Sequence, residues 1–404
     1  MAPSSACRST GTRHASICPW STTASGTWRW PSPRTSGPAS SGEGIRIIRG
    51  TSRFARQTAG AAHIVEAVTD GGTEELPADV VLVATGAMPR VLDDARPDGE
   101  RILTWRQLYD LPELPEHLIV VGSGVTGAEF CSAYVEMGSE VTLISSRDRV
   151  MPGEDADASA VLQDVFLDRG VHMTAQARAE SVKRTDDGVV VTLTDGRTVT
   201  GSHALMTVGS IPNTTDIGLA DVGIETDRGG FIPVDRVSRT SVPGIYAAGD
   251  CTGVMMLASV AAMQGRIAMW HALGEGVAPI KLKTVAAAVF TRPEIAMVGI
   301  SQRAIDAGEV PARTIMLPLS TNPRAKMQGV RRGFVKLFCR PATGVIIGGV
   351  IVAPVASELI LPIAMAVQNG LTVQDLAHTF SVYPSLSGSI TEAGRQLMRH
   401  SDLD

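Results

Sequence analysis

A largely apolar run, His117-Leu-Ile-Val-Val121, leads directly into Gly122-Ser-Gly-Val-Thr-Gly127. Three glycines at this spacing can do chemistry only if a strand precedes them and a helix follows. The sequence predicts both: a strand over 117–121, a helix to about Met137 that Gly138 stops in the left-handed conformation, and a second strand over Val141–Ile144. In that context Gly122 permits a tight turn, Gly124 lets the backbone approach a pyrophosphate, and Gly127 lets the helix pack close on the sheet. The helix start, with Ser123, Val125 and Thr126, then offers N–H groups and a positive dipole end to phosphate. Chance glycines in a structural turn would explain the motif alone, but not the motif with both strands and the helix. This stretch reads as a dinucleotide cradle.

The end of the second strand selects the nucleotide. A carboxylate there would hold a ribose 2′-hydroxyl, but the chain has Ser145, Ser146 and Arg147. Two hydroxyls and a guanidinium suit a 2′-phosphate, so NADP(H) is preferred over NAD(H), with use of both allowed. A charge-assisted contact of about 1.5–3 kcal/mol shifts that preference about 10- to 100-fold. The bland alternative pairs Arg147 with Asp148 in a solvated loop. Glu129 also has two readings. Thr126-x-x-Glu129 fits a capping box, and the alternative places the carboxylate beside the nicotinamide; spacing alone favours the box.

A second carboxylate follows a strand at Thr240-Ser-Val-Pro-Gly-Ile-Tyr-Ala-Ala-Gly249-Asp250. A carboxylate at a strand end can accept hydrogen bonds from a polyol, and Gly249 removes the side chain that would block its approach. Val83-Ala-Thr85-Gly86 is another strand–glycine turn of the same style. An ordinary turn would also accommodate either one.

These motifs need an α/β frame, and the composition provides it. The 404 residues allow two to three domains, and 44% hydrophobic residues against 19% charged exclude wholesale disorder. A balance of 36 Lys+Arg to 41 Asp+Glu, formal charge −5, argues against a nucleic-acid partner. The cysteines, Cys7, Cys18, Cys131, Cys251 and Cys339, show neither metal spacing nor a C-x-x-C pair, which excludes a metal site and points to a reducing, cytoplasmic setting. The apolar stretch Val345–Val367 holds Glu358 near its centre and Pro354 and Pro362 beside it, so it reads as strand then helix and no transmembrane segment is expected.

Residues 1–42 differ from the rest. They contain no Asp, Glu or Lys, Ile17 is their only Ile, Leu or Val, and Ser, Thr, Pro and Gly are 25 of them. A disordered tail, a transit peptide and coding sequence read from a wrong start or frame all fit; the abrupt change at Gly44 favours the last. From Gly44 the pattern predicts strands at Ile45–Ile48, His63–Val68 and Val80–Ala84, then a connector over Ala95–Leu114.

In order and spacing, Ala84-Thr-Gly86, the Gly122–Glu129 cradle, Val208-Gly-Ser-Ile-Pro-Asn213, Thr240–Asp250, Phe290-Thr-Arg-Pro-Glu294 and Ala356-Ser-Glu-Leu-Ile360 resemble the flavoprotein disulfide reductases. The resemblance runs from about Gly44 to the C-terminus. It implies two Rossmann-like dinucleotide-binding domains and an α+β dimerisation domain. An FAD domain would occupy 44–114 and 236–283, incomplete at its N-terminus. An NAD(P) domain would occupy 115–235 and the dimerisation domain 284–404, with 1–43 an atypical segment. Carried over, Asp250 and Gly249 bind the FAD ribityl region, Leu257 and Ala258 open a helix whose amides face the flavin, Thr85-Gly86 line the same cofactor, and Gly209 lines the NAD(P) site. Glu129 lies near the flavin N5, and Tyr383 sits against the partner's flavin in a homodimer.

Three departures bear on chemistry. The family's first G-x-G-x-x-G and its redox pair C-x4-C are not found in residues 1–42, which predicts weak FAD retention by the chain as given. The lysine that the family pairs with Glu129 is missing with them. The C-terminal His-Pro-Thr-Leu-Ser-Glu of the disulfide reductases reads Tyr383-Pro-Ser-Leu-Ser-Gly388, so the acid–base His and its carboxylate are both absent. A phenol is too weak an acid to exchange a proton with a thiolate at neutral pH as imidazole does. The Arg of the family's Gly-Arg-x-Pro-Asn is Ser210. Cys251 reads as a buried, inert thiol. The resemblance is strongest to the branch that lacks the redox disulfide and reduces quinones with NAD(P)H. The alternatives are a dihydrolipoamide dehydrogenase-type disulfide reductase and a truncated, inactive member.

Overall fold

His117–Val121 ends in four consecutive buried apolar residues, the signature of a strand covered on both faces, and such strands belong at the centre of a parallel sheet. The computed structural model describes residues 21–22, 28–29, 45–55 and 63–399, and places that strand third of five. The parallel order is His172–Thr174, Glu140–Ile144, His117–Val121, His203–Met206, Ile102–Leu103. Helix Val125–Met137 follows the central strand and stops at Gly138, whose φ of 102° only glycine adopts readily. Helix Ala156–Asp168 makes the next crossover, and an antiparallel meander, Ala179–Arg184, Val189–Leu193 and Thr198–Gly201, completes this unit.

The segment read as a connector contributes more than a link. Ile102–Leu103 is the edge strand of the parallel sheet, and helix Trp105–Leu108 follows it. Tyr109 lies 5.5 Å from Phe130 on the cradle helix, ring centre to ring centre, so the segment packs as core. Two residues are too short a strand to register as a period of two.

On the other side, Val81–Val83 pairs in parallel with Ile245–Ala247, and helix Ala258–Ala272 packs on the latter. A three-stranded antiparallel sheet, Thr51–Phe54, His63–Thr69 and Gly72–Ala78, stands beside this pair. The strand expected at Ile45–Ile48 is not formed. Ile45 and Ile47 are exposed, without a ladder partner among the described residues, and pairing begins at Thr51. Alternating Ile and charged residues suit a half-buried strand, but only Phe54 of this stretch reaches the core.

The C-terminal unit is a five-stranded antiparallel sheet in the order Ala286–Val289, Glu294–Gly299, Ile346–Ala353, Phe334–Cys339, Arg313–Pro318. Every residue of the two strands Ile346–Ala353 and Phe334–Cys339 is buried. Helices Ala356–Leu359 and Leu361–Asn369 follow, so Val345–Val367 is strand then helix as expected, and among the described residues no helix is long and apolar enough to cross a membrane. One core runs from Leu118, Val120 and Phe166 of the parallel sheet unit to Phe334, Phe338 and Val350 of this sheet.

Candidate functional site

The three glycines of the cradle are needed for different reasons. A Cβ on Gly122, whose φ is 115°, would lie 2.5 Å from the Thr207 carbonyl oxygen, and one on Gly127 would lie 2.0 Å from the Gly122 carbonyl oxygen. Both glycines are forced by the fold. Thr207 closes the turn: its hydroxyl donates to the carbonyls of Val121 and Gly122 at 2.9 and 3.0 Å. Gly124 is different. Its backbone is extended and a Cβ there would meet nothing within 4 Å. It caps the helix without any side-chain hydrogen bond, and Val125 and Thr126 beside it are exposed.

Ser145 corrects one expectation. It is fully buried; its hydroxyl pairs with Ser123 Oγ at 2.7 Å, donates to the Arg147 carbonyl and accepts from the Arg147 N–H. That hydroxyl is committed to shaping the loop, leaving Ser146 and Arg147 as the exposed pair. Among the described residues the Arg147 guanidinium forms no ion pair, so the pairing with Asp148 is not made. The neighbouring Arg149 has a buried Nε without a partner.

Glu129 is not part of a capping box. The helix is capped at Gly124, which makes Thr126 its second residue, and the Glu129 carboxylate instead accepts from the Phe290 N–H at 2.9 Å. Burial pushes this carboxyl above the ordinary 4.5, and the Phe290 amide pulls partly back. Ser132 accepts from the Arg292 N–H at 3.0 Å and Glu136 lies 3.4 Å from the Arg292 guanidinium, so one face of the cradle helix docks on 290–292.

The second motif is held by residues that spacing does not reveal. Gly249, with φ of 81°, donates its N–H to Gln264 Oε1 at 2.8 Å, and a Cβ on it would press on Ala261 at 3.2 Å. Gln264 is buried on helix Ala258–Ala272, which Leu257 caps, so helix and loop are fixed together. Asp250 then opens a short turn and stays half-buried. The Thr85 and Gly86 carbonyls accept from the Asn213 side-chain and backbone N–H groups, both at 2.9 Å, and the Asn213 Oδ1 is buried without a partner. Gly209, exposed with φ of 103°, begins the strand-like stretch that pairs Ser210–Pro212 with Ala87–Pro89.

Tyr383 is 81% exposed, between exposed Val382 and the segment that leads into helix Gly388–Arg399. Asn322 ties that segment down, donating to the Ser385 carbonyl and to Ser389 Oγ at 2.9 and 2.8 Å. Cys251 is fully buried and contacts the Ala248 carbonyl at 3.3 Å. Burial raises the Cys131 thiol pKa, and neither it nor Cys339 has a thiol partner. No cluster among the described residues has the composition of a metal site. Cys7, Cys18 and the other readings on residues 1–43 lie outside the described residues, the short ladder of Ser21–Thr22 with Trp28–Arg29 apart.

A glycine cradle on a parallel sheet, a strand–Gly–Asp turn and an antiparallel sheet unit together define a dinucleotide-dependent oxidoreductase. Residues 7–265 match the family described as pyridine nucleotide-disulphide oxidoreductase, and residues 285–394 match its dimerisation domain. The chain belongs to this family of FAD- and NAD(P)H-dependent oxidoreductases. It is 67% identical over 363 residues to a protein of Mycobacterium tuberculosis strain H37Rv named NAD(P)H dehydrogenase (quinone), covering 89% of this chain and 74% of that one. Dihydrolipoyl dehydrogenase 2 of Haloarcula marismortui is 32% identical over 354 residues, 87% of this chain and 74% of that one. The crystal structure of LpdA from Mycobacterium tuberculosis has a TM-score of 0.84 at 67% identity, over 88% of this chain and 78% of that one. The Cu(II) complex of the HOCl-induced flavoprotein disulfide reductase RclA from Escherichia coli reaches 0.80 at 25% identity, over 87% of this chain and 79% of that one.

Proposed function

We propose that this chain is an FAD-dependent NAD(P)H dehydrogenase that takes a hydride from NADPH, in preference to NADH, and passes the electrons to a quinone. It acts in the cytoplasm as a homodimer. The observation that carries the reading is Tyr383 with Gly388: at the segment where disulfide reductases place an acid–base pair, this chain has an exposed phenol and a glycine. The name of the Mycobacterium tuberculosis relative supports the same acceptor.

The open space beside Gly124 and the helix start behind it, where no side chain takes the free amides, fit a pyrophosphate held by amides of Val125 and Thr126. Ser146 and Arg147 would take the 2′-phosphate, with Ser145 and Ser123 holding their loop in place. Gly209 would leave room along the nicotinamide end. Asp250, with Gly249, Thr85, Gly86, Leu257 and Ala258, would hold the FAD, and the unpartnered Asn213 Oδ1 beside Thr85 fits a ligand donor. The flavin supplies hydride acceptance and electron transfer to the quinone when bound. Glu129, anchored on the Phe290 amide, would orient that region of the site. FAD domain 44–114 and 236–283, NAD(P) domain 115–235 and dimerisation domain 284–404 are the units assigned to these roles, except that Ile102–Leu108 packs with the NAD(P) unit and Leu219–Ile232 with the FAD unit.

The test is a side-by-side assay of the purified chain supplied with excess FAD, its bound FAD read by absorbance, with menadione and with lipoamide as acceptors. Quinone-dependent NADPH oxidation without lipoamide turnover is expected. Lipoamide turnover at a comparable rate, or a nucleotide-binding but inactive yellow protein, would overturn the reading.

A further inference from the structure

A lysine in the middle of a fully buried strand needs an explanation, because a desolvated ammonium costs several kcal/mol unless it is paired. Lys336, in strand Phe334–Cys339 of the C-terminal sheet, is 1% exposed. Its Nζ donates to both carboxylate oxygens of Asp155 at 2.9 and 2.8 Å and to Asp157 at 2.6 Å. Asp155 belongs to the other unit, and its side chain is 4% exposed. It also caps helix Ala156–Asp168, accepting from the N–H groups of Asp157 and Ala158 at 3.1 Å.

The contact continues to the cradle. The Met151 carbonyl accepts from Ser159 Oγ, on that helix, at 3.0 Å. The Met151 N–H donates to the Ser123 carbonyl at 2.7 Å, within the glycine motif itself. Ser123 in turn holds Ser145. At its far end the same helix is held by Arg332, just before the lysine's strand, pairing with Asp168 at 2.5 Å. The helix is therefore held at its start by the buried Lys336 pair and at its end by an exposed pair from the loop before that strand, and the loop from Ser145 to Asp155 runs between its start and the cradle.

We infer that Lys336 is a positioning residue for the nicotinamide nucleotide: a group in the C-terminal unit that sets the phosphate-binding loop through Asp155 and Met151. The inference rests on the proposed role of the Gly122–Gly127 cradle. Lys336 touches no part of that cradle itself, so it acts only through the loop. Through Met151 the loop holds Ser123 of the glycine motif, which serves the nucleotide whether or not a 2′-phosphate is present, so its disturbance weakens NADP and NAD together, unlike the loss of Arg147. Among the described residues, none of these hydrogen bonds and ion pairs reaches Gly249 or Asp250.

The variant Lys336→Met tests this in the full chain. Expected is an about tenfold rise in Kd for both NADP+ and NAD+ by calorimetric titration, with a matching rise in KM and kcat within about twofold. FAD content, sedimentation, and the rate at which menadione reoxidises dithionite-reduced enzyme should stay at the wild-type level. Because this variant leaves two aspartates facing an apolar side chain, the double variant Lys336→Met with Asp155→Asn carries the same measurements. Asparagine keeps the helix cap while removing the unpaired buried charge. The double variant should melt above the single one and still bind both nucleotides weakly. Wild-type affinity in either folded variant overturns the inference, as does a reoxidation rate that falls in step with affinity. If the wild-type chain itself binds neither nucleotide, the proposed function fails first, and the two failures are thereby distinct.

Discussion

Alanine at Gly124 and alanine at Gly127 should have opposite signatures. At Gly127 the new Cβ would stand 2.0 Å from a backbone oxygen and 2.9 Å from Thr207 Oγ1, where ordinary contact begins at 3.4 Å, so the helix must retreat by more than 1 Å (3.4 − 2.0). Overpacking against backbone belongs at the upper end of the usual cost, about 3 kcal/mol. The better helix propensity of alanine returns about 1 kcal/mol. The net of about 2 kcal/mol corresponds to a melting temperature lower by about 4–8 °C for a domain of this size. At Gly124 the backbone is one that alanine adopts and the Cβ meets nothing within 4 Å. Alanine at a helix cap costs about 0.5–1 kcal/mol, and the stiffer unfolded chain offsets about 0.4–1 kcal/mol, so stability should not move. The methyl would nevertheless occupy the approach of the pyrophosphate. Losing one charge-assisted hydrogen bond of about 1.5–3 kcal/mol weakens NADP+ about 10- to 100-fold. Thermal melting paired with NADP+ titration reads both. A Gly124→Ala variant that binds NADP+ as tightly as wild type refutes the assignment of the open space. One that melts as low as Gly127→Ala refutes the packing argument.

Arg147→Ala should raise the Kd for NADP+ about 10- to 100-fold and that for NAD+ less than twofold, and equal losses would make the residue a mere loop anchor. Burial holds the Glu129 carboxyl above its ordinary 4.5, so its contribution to stability is complete below 4.5 and is lost as pH rises through the raised value. Glu129→Gln, still an acceptor for the Phe290 N–H, should flatten that part of the stability–pH curve, and an unchanged slope in urea titrations contradicts it. Gln264→Ala leaves the Gly249 N–H unpaired in a buried loop and should cost about 1–3 kcal/mol and lower FAD retention; wild-type FAD content after dialysis would count against the role given to that loop. Sedimentation should find a particle near twice the 42.4 kDa chain, and an active monomer would contradict the dimer.

Local patterns carried the reading furthest where the physics is local. The cradle is a turn whose glycines are dictated by neighbours within a few residues and by one strand beside them, and its helix stops where Gly138 predicts. What spacing could not show is which groups meet across long separations. Lys336 and Asp155 stand 181 residues apart, and nothing in Phe334-Val-Lys-Leu-Phe338 itself shows which group its lysine meets. Thr126 and Glu129 have the spacing of a capping box, but the cap is Gly124, two residues earlier, and Phe290, 161 residues away, takes the carboxylate. Ser145 has the type and spacing of a ligand group beside Ser146 and Arg147, and Ser123 turns it inward.

Burial also separates the parts of this chain that must keep their residue types from the parts that need not. Gly122, Gly127, Thr207 and Gln264 are locked by backbone approach or by a hydrogen bond inside the fold, so their chemistry is bound to the architecture. Phe380, Val382 and Tyr383 lie outside the core, and replacing a side chain there costs little in folding. An acid–base residue on that segment can therefore be lost or gained while the two sheets, the cradle and the strand–Gly–Asp turn stay as they are. Relatives named for quinone and for dihydrolipoyl chemistry both match this chain over most of its length. The acceptor must therefore be argued from Tyr383 and Gly388 rather than from the fold.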